Sequence, residues 1–174
     1  MRWFWLDRFT EFVSGRRASA VKCVSLSEDY LHDHWLFHPV MPASLIAEGM
    51  AQTGGLLVSE TYKFGELVVL AKFSKCTFGD EVHPGEVIRY DAEILQAKEA
   101  GASVHVTAHV GQEQRAEAEI FFARLSGQEN IAEGTRLFDP AHLLHWLRLV
   151  GVFDVGTRED GSRLRPEDYG FETN

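Results

Sequence analysis

Apolar side chains recur at Trp3, Phe4, Leu6, Phe9, Phe12 and Val13 at close to helical spacing, and Gly15 is placed to end such a helix. The pattern predicts an amphipathic helix over residues 2 to 13. From 17 to 27 the period drops to that of a strand, with Ala18, Ala20, Lys22, Val24 and Leu26 alternating against Ser19, Val21, Cys23 and Ser25. No period holds from Glu28 to Pro42, and Pro39 and Pro42 punctuate what reads as a loop.

Residues 43 to 62 are long enough for a five-turn helix and show no continuous polar face before Glu60. Leu45, Ile46, Met50, Leu56, Leu57 and Val58 alternate with Ala47, Gly49, Ala51, Gly54 and Gly55. A helix apolar all round is a buried helix, and its small residues allow close approach by its neighbours. Four strand-like runs follow at 66 to 78, 86 to 97, 102 to 110 and 115 to 125. Short links join the last three, so those should be antiparallel neighbours. One buried helix followed by a meander of long strands predicts an α+β fold with the sheet wrapped around the helix.

Residues 126 to 174 read as a C-terminal extension, packed on the same domain or partly mobile. Asp139 as N-cap, Pro140 at the first helical position, and Leu143, Leu144, Trp146, Leu147 and Val150 as an apolar face predict a helix there. The polar end from Gly156 onward is expected to run along the surface.

At 174 residues, 45% apolar and 25% charged, the chain suits one domain that needs no metal or disulfide staple. The aromatic N-terminus carries Asp7 and Glu11 and has no small-residue cleavage site, which argues against a signal peptide, and no apolar run is long enough to span a membrane. Cys23 and Cys76 lack the spacing of a zinc or redox pair, and a reduced, cytoplasmic protein is expected. A net charge of −9 argues against nucleic acid as a partner. Arg2, Arg8, Arg16, Arg17 and Lys22 nevertheless make the first 22 residues net positive, which either greets an acidic partner or forms a solvated face.

The chemistry concentrates in "HDHWLFHPVMPASLIAEGMAQTGG", residues 32 to 55. Glu48 and Gln52 are the long polar side chains in the first turns of the helix, and their spacing puts them on one face. A carboxyl buried there either takes up a proton and becomes a general acid, or is neutralised by a hidden cation or reaches back to solvent. His32, His34 and His38 invite a metal site, a structural role or a general base, and the base needs only one of them. Metal ligation is weakly signalled, because the loop offers only Asp33 as a further ligand, with no HExxH pair on a helix and no cysteine close by. Ser44 lacks the surroundings of a nucleophile elbow, and no glycine-rich phosphate loop appears. A base, an acid and the free N–H groups of a helix beginning after Pro42 suit α-proton abstraction from a thioester.

The segment resembles the FabZ/FabA-type 3-hydroxyacyl-acyl carrier protein dehydratases, whose signature is G-H-F-P-G-x-P-x-M-P-G-x-L-x-x-E/D-A-M-x-Q. It is matched at His34, Pro39, Met41, Pro42, Leu45, Glu48, Met50 and Gln52, and the likeness extends more loosely over residues 15 to 125. The resemblance implies a hotdog fold over residues 1 to 125, a homodimer with active sites shared at the interface, and in some members a trimer of dimers. It implies His34 as the base, Glu48 of the partner chain as the acid, and Ala43 and Gln52 as substrate-binding residues, with no cofactor and acyl carrier protein as the carrier of the substrate. Trp35-Leu36-Phe37 and Ala43 depart from the signature, and Glu48 stands where the isomerising members carry Asp. A hotdog thioesterase and a catalytically idle acyl-binding subunit are the alternative readings.

Overall fold

The computed structural model describes residues 4–33, 37–125 and 140–171. Seven strands form one sheet in the order β3-β6-β5-β4-β2-β1-β7. They are β1 (Arg8–Val13), β2 (Arg17–Cys23), β3 (Leu67–Phe78), β4 (Val87–Lys98), β5 (Gly101–Val110), β6 (Glu113–Leu125) and β7 (Gly156–Thr157). All neighbours run antiparallel except β7, which lies parallel to β1. A short helix α1 (Asp29–Asp33) precedes the long central helix α2 (Ala43–Thr61), and α3 (Pro140–Leu149) and α4 (Val152–Val155) lie near the C-terminus.

Alternation decides which side of the sheet meets α2. In β5, Ala102, Val104, Val106 and Ala108 are buried, while Ser103, His105, Thr107 and His109 face the other way. The buried set joins Ile88, Tyr90, Ile120 and Phe122 and closes over Met50, Leu57 and Val58 of α2. The small residues of α2 are what let this happen. A Cβ on Gly49 would stand 2.4 Å from the Tyr90 ring, and one on Gly54 or Gly55 would stand 3.2 Å from Phe122. Aromatic rings, rather than backbone, therefore occupy the space that the glycines leave. A sheet wrapped around one buried helix is the hotdog arrangement that the resemblance implied.

The helix expected over residues 2 to 13 is not formed: Arg8–Val13 is a strand. Phe9 and Phe12 are both buried although three positions apart, because the register with β2 shifts between Phe9 and Glu11. A bulge adds one residue to the strand, so a spacing that mimics a helical turn still lands on one face. Gly15, with φ +65°, turns the chain between β1 and β2 instead of ending a helix.

The described part of the extension, residues 140 to 171, contributes to the core. Leu147, Val150, Val152 and Leu164 are buried, and β1 donates from Phe9 N to Val150 O at 2.8 Å. Asp139 lies outside the described residues. Residues 158 to 171 run over the surface, but they send Leu164 and the Tyr169 hydroxyl inward. Tyr169 and Phe171 also pack on Phe64, which together with Lys63 leaves α2 in left-handed backbone, φ +52° and +59°. Such a conformation costs roughly 1 to 2 kcal/mol per non-glycine residue, and the aromatic contacts help hold it.

Candidate active site

α2 begins at Ala43 without a capping side chain, since its N-cap is Pro42. Met41 N donates to Val82 O at 2.8 Å, which fixes the entry to the helix against the β3–β4 loop. Ala43 and Ser44 are exposed at this end. An uncapped helix start presents main-chain N–H groups and the positive end of the helix dipole.

One turn on, Glu48 is half-buried and accepts a hydrogen bond from Gln52 Nε2 at 2.9 Å, so the two predicted neighbours do share a face. Gln52 Oε1 in turn accepts from the Trp5 main-chain N–H at 2.9 Å. Glu48 is thus not the sealed carboxylate that an apolar helix suggests. Among the described residues the fully buried glutamate is Glu60, at the far end of α2. It accepts from Ser14 Oγ (2.8 Å), Gly15 N (3.1 Å) and Tyr169 Oη (2.7 Å), with Lys63 Nζ 3.9 Å away. Its donors come from two distant parts of the chain, the Ser14–Gly15 turn and Tyr169. The sequence signal for it is a lone carboxylate in the last turn of an apolar helix, and nothing local points to Tyr169.

His34 lies outside the described residues, with Trp35 and Leu36. Its approach is α1, whose Tyr30 ring meets Trp5 edge-on at 5.2 Å. Of the other two histidines, His32 is exposed in the last turn of α1, and His38 pairs through Nε2 with Glu81 at 2.7 Å beside His83. Phe37, where the signature has glycine, is 93% exposed. Among the described residues no group of three or more His, Cys, Asp or Glu side chains is arranged to hold a metal ion.

Behind the helix, burial pushes the Tyr90 phenol far above the usual tyrosine range, and the nearby Tyr30, Asp7 and Glu28 add to it. Tyr30 is raised as well, first by burial and then by Glu28. The N-terminal cations are mostly spent within the chain: Arg17 pairs with Glu11 at 2.8 Å, Arg16 with Glu159 at 2.9 Å, and the buried Lys22 with Glu28 at 2.6 Å.

The model of the FabA-like domain matches residues 3–119. The chain belongs to the FabA-like family. Among curated relatives, a 3-hydroxyacyl-[acyl-carrier-protein] dehydratase FabZ of Pelotomaculum thermopropionicum is 36% identical over 119 residues, covering 68% of this chain and 85% of the relative. That of Geobacillus thermodenitrificans is 38% identical over 120 residues, covering 68% and 82%. Among solved structures, the dehydratase heterocomplex ApeI:P of Xenorhabdus doucetiae aligns with TM-score 0.59 at 15% identity over 71% of this chain and 84% of that one. The PaaI protein of the E. coli phenylacetic acid degradation operon aligns with TM-score 0.54 at 11% identity over 66% and 76%. At such identities these structures establish the shared fold. The FabA-like match ends at residue 119, so α3, α4 and β7 lie beyond it.

Proposed function

We propose that this chain dehydrates 3-hydroxyacyl thioesters carried by acyl carrier protein to trans-2-enoyl thioesters, in fatty-acid or related lipid biosynthesis. The observation that carries the reading is Glu48, half-exposed beside the uncapped start of a buried helix and held there by Gln52. The His34 imidazole takes the proton from C2. The electrons move toward the thioester carbonyl, whose oxygen accepts from the Ala43 N–H, and the C3–O bond breaks as Glu48 gives its proton to the departing hydroxyl. Water leaves, the C2–C3 double bond remains, and solvent returns both side chains to their starting protonation. Gln52 positions Glu48. No step requires a cofactor.

We further propose a homodimer in which His34 of one chain meets Glu48 of the other, acting in the cytoplasm, a compartment that suits two free cysteines. In support, β3 is an edge strand of 12 residues with Leu70, Phe73 and Phe78 exposed along it. A long apolar edge invites pairing with another strand.

His34→Ala and Glu48→Gln are each expected to lower dehydration by about a hundredfold, with circular dichroism unchanged, as when a general base or acid is lost. Near-normal turnover in Glu48→Gln would overturn the assignment.

A further inference from the structure

The side chain of Gln52 lies between a group that can only donate, the Trp5 N–H, and a carboxylate, Glu48. That pairing fixes the amide without ambiguity: Oε1 must face Trp5 and Nε2 must face Glu48. With Glu48 Oε1 accepting from Nε2, the transferable proton of the acid form sits on Oε2, the oxygen left for substrate. If the Trp5 donor were removed, the amide could turn over and present its own oxygen to Glu48.

The donor is held on all sides. The Trp5 side chain is 8% exposed and Leu6 is 3% exposed. Asp7 N donates to Val21 O at 2.7 Å, and Asp7 Oδ2 accepts from Cys23 N at 2.6 Å, tying the following residue to β2. On the preceding side, Phe4 meets Trp146 of α3 edge-on, ring centres 4.7 Å apart. Trp146 belongs to the extension beyond the FabA-like match.

We propose that Trp5, through its main-chain N–H, is a positioning residue for Glu48 acting by way of Gln52, and that α3 steadies it through the Phe4–Trp146 contact. The inference rests on the reading of Glu48 as the acid. It gives the extension a task in the reaction, namely to hold the first segment through Phe4.

The decisive variant replaces the peptide bond before Trp5 by an ester, using the hydroxy-acid analogue of tryptophan, which deletes the N–H and keeps the indole. With a 3-hydroxybutyryl thioester of acyl carrier protein as substrate, kcat should fall on the order of tenfold while KM stays within about twofold. In a Gln52→Leu background the ester should cause no further loss, because the relay is already cut. Full kcat in the ester protein, or independent additive losses in the double variant, would overturn the proposal. A readout free of turnover is the exchange of the Trp5 amide hydrogen in the native chain: Gln52→Leu and Trp146→Ala should each accelerate it, and unchanged exchange in both would count against the tether even if the ester protein failed to fold. Glu48→Gln separates the two ideas. If it is inactive and the ester protein is normal, the relay alone fails; if it is active, the acid assignment fails and the relay with it.

Discussion

Three tyrosines, Tyr90 buried and Tyr30 and Tyr169 half-buried, show how strongly single residues are set by this environment. Burial raises the phenols of Tyr30, Tyr90 and Tyr169 well above the usual value of 10.0, and Tyr169 is raised further by donating to Glu60. In the unfolded chain these groups release their protons near that usual value, whereas the folded chain retains them. Their contribution to stability is therefore fully present below pH 10 and declines as pH rises above it. Alkaline titration followed by tyrosinate absorbance should show these three ionising together with loss of circular dichroism. Their ionisation near pH 10 in a still-folded chain would contradict the burial described. At this scale the sequence was partly legible. The Glu48 and Gln52 pair followed from helical spacing alone, but the half-burial of Glu48 did not, because spacing says nothing of the solvent left at a helix start. Glu60 was passed over since its three donors lie 45 or more residues away.

Among elements, the long helix and the four later strands were readable because each carries one period over many residues. β1 was misread because its bulge sets Phe9 and Phe12 three apart on one face, a spacing shared with helices. Context decided the matter: β1 is bordered by β2 and β7, and its main chain is bonded to both α3's end and the β2 strand. The same context makes α3 part of the folding unit. Leu147 is fully buried, so Leu147→Ala should lower stability by about 2 to 5 kcal/mol in urea unfolding through lost transfer energy and a cavity. A change within about 0.5 kcal/mol would mean that α3 packs less closely than described.

For the molecule as a whole, strand order was only partly readable. Short links gave β4-β5-β6, but the placing of β3 beside β6 and of β7 beside β1 depends on long-range closure that no local pattern records. The consequence is asymmetric: β7 and the α3 region cover the β1 edge, and among the described residues no strand pairs with the outer edge of β3. A dimer with shared sites has a quantitative signature. Mixing unfolded His34→Ala and Glu48→Ala chains in equal amounts and refolding should make about half the dimers mixed, each with one intact site, and restore about a quarter of wild-type activity. No recovery, with mixed dimers verified by mass spectrometry, would place both residues in one chain's site.

The central claim is the reaction itself, and it is tested most directly by offering a 3-hydroxyacyl thioester of acyl carrier protein to the purified chain while recording enoyl absorbance, free thiol and product mass together. The account predicts a rise in enoyl absorbance, a product lighter by one water and no thiol, with the rate lost in Glu48→Gln. Thiol release without enoyl product would make the chain a thioesterase, and no reaction at all would leave it an acyl-binding subunit; either result would contradict the account.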